Sequence, residues 1–214
     1  MGQQEATRVY MELRSRIITN ELRPGTVLRT RSVAEQYRTS TTPVRDALNR
    51  LGQEGWVEVR PRSQCVVAPI TFARLTDVLE VREATGPMCC RLAARRASSE
   101  DIDRLSDIAE GRYSIAENVG QVMSASHAFH CEVARLSGNR YFMQITEQML
   151  QEIDRIFSYC GRDPLSAKPP LDDHRRLIEA LRQHDEDLAA QLETEHLAHT
   201  RKVTLDIVSA SGML

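Results

Sequence analysis

Residues 39 to 56, TSTTPVRDALNRLGQEGW, constrain the fold more than any other stretch of the chain. Val44, Ala47, Leu48 and Leu51 recur at helical spacing, and Thr42 is the expected N-cap. Pro43 then takes the first helical position, where its missing amide hydrogen costs nothing, and Gly55 is placed to end the helix. The next residues, WVEVRPRSQCVVAPI, change period: Val57 and Val59 alternate with polar residues, Arg60 to Ser63 make a turn, and Cys65 to Val67 return. So short a helix needs partners for its apolar stripe.

Those partners lie upstream. Val9, Leu13 and Ile17, with Tyr10 and Ile18 beside them, predict a helix from Val9 that ends before Pro24-Gly25. Ser32-Val33-Ala34-Glu35 matches a capping box and predicts a second, short helix running to about Tyr37. Three helices followed by a two-stranded hairpin make a winged helix-turn-helix, whose third helix presents its N-terminus to the major groove of DNA. Ser40, Thr41 and Thr42 can then donate to phosphates, and Arg45 can reach a phosphate or a guanine edge. The alternative is that the hydroxyls are caps and Arg45 is a solvated surface residue.

Charge follows the same division. Residues 1 to 70 hold 11 Arg, no Lys and 7 acids, a balance of +4; residues 71 to 214 hold 17 basic and 23 acidic residues, a balance of −6. A basic head on an acidic body fits a polyanion partner for the head. No apolar run approaches the roughly 20 residues of a membrane span, and the N-terminus lacks a signal-peptide pattern, so the expected location is the cytoplasm. The five cysteines lack a Cys-x-x-Cys pair and read as reduced core thiols.

From residue 71 the chain reads as a bundle of about six helices. The first opens at Val78 and passes Gly86-Pro87 with an expected kink. The second starts at Ser98 or Ser99, and the third runs from Gln121 to Leu136. The fourth carries Phe142 to Phe157; the fifth spans Leu171 to His184 and the sixth Asp187 to Ala210. His130, His174 and His196 each fall on the inward stripe of a different helix, so the three could meet and ligate zinc or a related divalent ion such as nickel. Their alternative is three hydrogen-bonded core histidines. His127, His184 and His199 read as surface or supporting residues. An enzyme built on a three-histidine metal, with Glu132 or Glu195 as base, is the competing function. Its weakness is that both acids neighbour ligand histidines in sequence and diverge from the metal by about 100 degrees on a helix.

Two stretches carry a family resemblance. LRTRSVAEQYRTSTTPVRDALNRLGQEGWVEVRPRSQCVV resembles the DNA-binding domain of GntR-family bacterial transcription regulators. That implies DNA contacts by Arg31, Thr42, Arg45 and the wing-tip residues Arg60 and Arg62. Thr41 stands where the family often has a basic residue, and Ser63 stands near the usual wing glycine. DVLEVREATGPMCCRLAARRAS, FHCEVARLSGN and DDHRRLIEALRQHDEDLAAQLETEHL resemble the FadR-type, or FCD, ligand-binding domain.

The resemblance implies domains at residues 1–70 and 71–214, and a homodimer on a pseudo-palindromic operator, most often as a repressor. It also implies a metal at His130, His174 and His196 beside a small carboxylate effector. The family's fourth ligand, an Asp one turn before the first histidine, is Ser126 here. Arg82 is the implied partner of the effector carboxylate; a surface pair with Glu83 or Glu80 is the alternative.

Overall fold

The computed structural model describes residues 2–60, 64–114, 119–160, 171–210 and 212. They group into two units, Met1–Thr71 with Asp154–Tyr159, and Phe72–Ile153 with Cys160–Leu214. Asp154–Tyr159, expected in the helical body, therefore groups with the head. Arg155 is fully buried and donates to the Ala68 carbonyl, while the Asn20 amide donates to the Arg155 carbonyl at 2.7 Å.

The head runs α1 (Gly2–Ile18), β1 (Val27–Leu28), α2 (Thr30–Gln36), α3 (Thr41–Gln53), β2 (Val57–Arg60) and β3 (Gln64–Val67). Helix α1 starts at Gly2 and not near Val9. Its first turns are polar and carry no apolar stripe, and an Arg8–Glu5 ion pair at 2.7 Å lies along them. Helix α2 starts at Thr30 behind Arg29, whose φ of −83° and ψ of 119° are the extended geometry of an N-cap. Ser32 is thus already helical, and the expected Ser32–Glu35 box does not form. Helix α3 begins one residue before the predicted cap, with Ser40 as N-cap and Pro43 as its third residue. Proline is still tolerated there because the first four amides of a helix have no partner inside it.

Glu54 caps the other end of α3, and Gly55 follows in the left-handed region at φ +78°. The Gly55 amide donates to Gly52 and the Trp56 amide to Leu51, at 3.1 and 2.9 Å. This paired closure is the Schellman motif, and it turns the fully buried Trp56 into the core beside Leu13, Ile17, Val44, Leu48 and Leu51. The wing is a three-stranded antiparallel sheet in the order β1-β3-β2, where the sequence predicts two strands. β2 pairs Val57 with Val67 and Arg60 with Gln64; β1 adds Val27 opposite Val66 and Leu28 opposite Cys65.

The second unit contains α4 (Phe72–Arg96), α5 (Ser99–Ser114), α6 (Val119–Leu136), α7 (Arg140–Cys160, apart from residues 154–159), α8 (Leu171–Arg182) and α9 (Glu186–Ala210). These are the six helices expected, counted among the described residues. Helix α4 starts six residues before Val78, because Leu75, buried with Val78, Leu79 and Arg82, extends the inward stripe. The helix continues through Pro87, which removes one backbone donor. Gly86 faces α9 so closely that a Cβ there would lie 2.8 Å from Leu197 Cδ1 and 3.0 Å from Glu193 Oε1.

Helix α5 opens with a reciprocal cap. The Asp101 amide donates to Ser98 Oγ at 3.2 Å, and the Ser98 amide donates to Asp101 Oδ2 at 3.0 Å. Ser98→Ala is expected to cost about 1 kcal/mol, read as a lower urea midpoint with an unchanged slope. A midpoint within error of the parent chain would show that the cap adds nothing. No helix among the described residues is long and apolar enough to cross a membrane, and the five cysteines form no disulfide among the described residues.

Candidate functional site

The outer face of α3 follows from its inner one. Pro43, Val44, Ala47, Leu48 and Leu51 are buried, which leaves Ser40, Thr41, Thr42 and Arg45 exposed at the helix start. Arg45 makes no ion pair among the described residues, so its guanidinium stands free at the position a groove-entering helix would use. Arg50 is differently placed. It stacks over the Tyr10 ring at 3.7 Å and pairs with Glu54 at 3.1 Å, and Glu54 also accepts from the Tyr10 hydroxyl at 2.6 Å. That network ties α1 to α3. Arg31 is exposed on α2, and Arg60 is exposed on β2, where it pairs with Glu58 at 3.2 Å. Arg62 and Ser63 lie outside the described residues. Arg29 and Arg38, exposed at the two ends of α2, went unread in the sequence because no apolar pattern singles them out.

In the second unit His130 on α6, His174 on α8 and His196 on α9 converge. All three are buried, and one nitrogen from each lies within 4.8 Å of the others. The His130 and His196 Nε2 atoms are 3.2 Å apart. His174 stacks on the fully buried Phe129 at 3.9 Å between ring centroids, which fixes its plane. Asp173 Oδ2 sits 3.4 Å from His196 Nδ1, the position that favours a proton on Nδ1 and leaves Nε2 its lone pair.

Burial first, then neighbouring positive charge, holds all three imidazoles neutral. His130 and His174 titrate well below the usual 6.5, and His196 is lowered to about 4 by burial and the Arg82 charge against the opposing pull of Asp173. Neutral imidazoles with convergent nitrogens suit a divalent cation. Two nitrogens held 2.0–2.1 Å from a tetrahedral ion lie about 3.3 Å apart, close to the His130–His196 spacing.

Arg82 is buried and its charge acts on all three imidazoles, whereas Glu83, offered as its surface partner, pairs with Arg201 at 3.1 Å. Ser126 is half-buried on α6, one turn before His130. Of the remaining histidines, His127 is half-buried, His199 is exposed, and His184 Nδ1 meets the Ala94 carbonyl at 2.6 Å.

One functional-looking residue escapes the sequence reading altogether. Glu193 on α9 is buried, with Oε1 3.6 Å from His130 Nδ1, and burial pushes its carboxyl up to about 7 against the lowering effect of Arg82. The signal was available: an acid stands on the stripe of Ala189 and Leu197 at helical spacing.

Two cavities flank the cluster. The inner one, about 20 Å³, is lined by Arg82, Gly86, Cys90, His130, Thr146 and Glu193 among others. The outer, about 350 Å³, is lined by Asp173, Arg176, Leu192, Glu195, His196 and His199. The two acids considered as an enzymatic base are engaged elsewhere, Glu132 by Arg135 at 2.6 Å and Glu195 by Gln191 at 2.9 Å.

Comparison with known proteins agrees with this arrangement. Residues 5–67 match the model of bacterial regulatory proteins of the gntR family, and residues 77–199 match the FCD domain. An uncharacterised HTH-type transcriptional regulator of Streptomyces ambofaciens is 27% identical over 198 residues, covering 92% of this chain and 83% of that protein. The HTH-type transcriptional repressor RspR of Escherichia coli (strain K12) is 25% identical over 195 residues, covering 89% and 84%. Among solved structures, E. coli McbR/YncC superposes with a TM-score of 0.78 at 21% identity, covering 94% of this chain and 97% of the other, a likeness of fold. These relatives are transcription regulators and not enzymes. A winged helix-turn-helix joined to an FCD domain makes this chain a DNA-binding transcription regulator, and it belongs to the GntR family.

Proposed function

We propose that the protein is an effector-responsive repressor that binds a pseudo-palindromic operator as a homodimer in the cytoplasm. Its helical domain holds a divalent metal, zinc or nickel, at His130, His174 and His196, beside a small carboxylate effector that Arg82 attracts. The observation that carries this reading is the convergence of three buried imidazoles next to a buried guanidinium. When bound, the metal supplies a Lewis-acidic point for a carboxylate oxygen. The chain's own groups do the rest: Asp173 orients His196, Phe129 orients His174, and Arg82 adds positive charge.

The inner cavity, at about 20 Å³, has room for one water, so an effector enters this cavity only by moving side chains. A ligand that binds the expanded state more tightly than the closed one shifts the balance between them, which is the requirement for changing operator affinity.

The test begins at the DNA. Arg45→Ala should lower the salt dependence of operator binding by about one counterion if its contact is to phosphate, or cost about 1–3 kcal/mol at one base position if it reads guanine. A mobility shift at several salt concentrations separates the two, and undiminished affinity at every sequence would remove Arg45 from the interface. Adding candidate carboxylates to the zinc-loaded protein then tests the effector. Release of operator by any one of them supports the repressor reading, and tighter binding argues for an activator.

A further inference from the structure

A divalent cation among the three histidines would sit beside the buried Arg82, in a site to which α6 contributes no anion because Ser126 stands one turn before His130. Positive charge collected in a low-dielectric interior needs a counter-charge close by. Asp173 on α8 faces His196 at 3.4 Å, and a second, buried carboxylate stands on α9 beside His130. Glu193 is 3% exposed, and its Oε1 lies 3.6 Å from His130 Nδ1. Its Oε2 has no hydrogen-bond partner among the described residues. Space for this carboxylate comes from Gly86 on α4, where a Cβ would lie 3.0 Å from Oε1. The opposite nitrogen of the same His130 ring, Nε2, faces His196 Nε2 at 3.2 Å. His130 therefore presents one edge to a carboxylate and the other to the place where the ligand nitrogens meet.

We propose that Glu193 is a positioning carboxylate for the metal site, holding His130 with Nδ1–H toward itself and Nε2 toward the cation. It supplies from α9 the negative charge that α6, with Ser126, does not. The inference rests on the reading that the three histidines hold a divalent cation. A carboxylate behind a ligand histidine fixes the tautomer and raises the basicity of the ligating nitrogen, and losing such a partner costs about 10–100-fold in metal affinity. A purely structural role fits less well. An apolar side chain of similar length would fill the same space without the cost of taking a carboxylate out of water.

The experiment uses the full chain, purified without a histidine tag, stripped with chelator and titrated with zinc against a chromophoric chelator. Glu193→Gln should keep the contact to His130, lose the charge and weaken zinc binding about 10–100-fold. The metal-free variant should unfold at the same or a higher urea concentration than the metal-free parent. Adding Ser126→Asp to Glu193→Gln should recover at least about tenfold in affinity, because charge is restored from the opposite side.

Glu193→Met provides a second measurement, with zinc binding again weakened and metal-free stability raised. Stoichiometric zinc in the parent with undiminished affinity in both variants overturns the role of Glu193 and leaves the metal site standing. Loss of metal-free stability in both variants assigns Glu193 to the core and overturns it as well. A parent chain that takes up no zinc overturns the metal reading and this inference together.

Discussion

His174→Ala combined with His196→Ala is expected to abolish zinc and nickel uptake, a loss of affinity on the order of a thousandfold or more. The double variant leaves one of three convergent nitrogens, and a single imidazole does not hold a divalent ion against water. His196→Ala removes the nitrogen 3.2 Å from His130 Nε2 and leaves Asp173 without its imidazole partner. His174→Ala removes the ring stacked on Phe129. His199→Ala is the control: it keeps all three convergent residues while changing an exposed histidine of the outer cavity. Elemental analysis after zinc exposure and dialysis, with calorimetric titration of each chain, reads the outcome. Equal metal content in the parent and the double variant would place the bound ion elsewhere. Absence of metal from all three chains would leave a metal-free effector pocket lined by the same imidazoles.

The parts of this architecture that the sequence displays are those with a period. The stripe of Val44, Ala47, Leu48 and Leu51 fixes both faces of α3, so the exposure of Thr42 and Arg45 follows from the burial of their neighbours. The inward stripes of α6, α8 and α9 bring His130, His174 and His196 together for the same reason. Boundaries are less legible because they depend on one residue's backbone angles. Arg29, and not Ser32, adopts the extended geometry that starts α2, and nothing in side-chain chemistry selects arginine for that task.

Strand β1 is two residues long, too short to show alternation, and is defined by its pairing to a segment almost 40 residues away. Glu193 is hidden differently. Its place three residues before His196 puts it on the inward face, but whether that face admits a carboxylate depends on α4 offering a glycine, Gly86, at the closest approach. That information belongs to the packing of two helices and not to either segment.

Acid should unfold the metal-free protein early, and the sign follows from which groups gain protons on unfolding. His196 falls from the usual 6.5 to about 4 in the folded chain, and His130 and His174 lie well below 6.5, all chiefly through burial. Below pH 6.5 the unfolded chain therefore binds protons that the folded chain refuses, and stability drops as pH falls. For His196 alone the loss approaches about 3 kcal/mol by pH 4, at about 1.4 kcal/mol per pH unit, a large part of the 5–15 kcal/mol typical of a domain.

Glu193 acts in the opposite sense. Its carboxyl is raised from 4.5 to about 7, so the folded chain holds a proton that the unfolded chain releases, and stability drops as pH rises from about 4.5 to 7. Three imidazoles outweigh one carboxyl up to about pH 7, because about a quarter of each unfolded imidazole still carries a proton there, and above it the two slopes nearly cancel. Stability of the metal-free chain should rise steeply from pH 4.5 to about 6.5 and level off above about pH 7. Urea midpoints at half-unit pH steps check the shape. In Glu193→Gln the acid limb should steepen, because the opposing carboxyl slope is gone. In the His174→Ala, His196→Ala chain the acid limb should flatten. A chelator-treated parent chain whose midpoint is constant from pH 7 to 4.5 would contradict the burial of three neutral imidazoles.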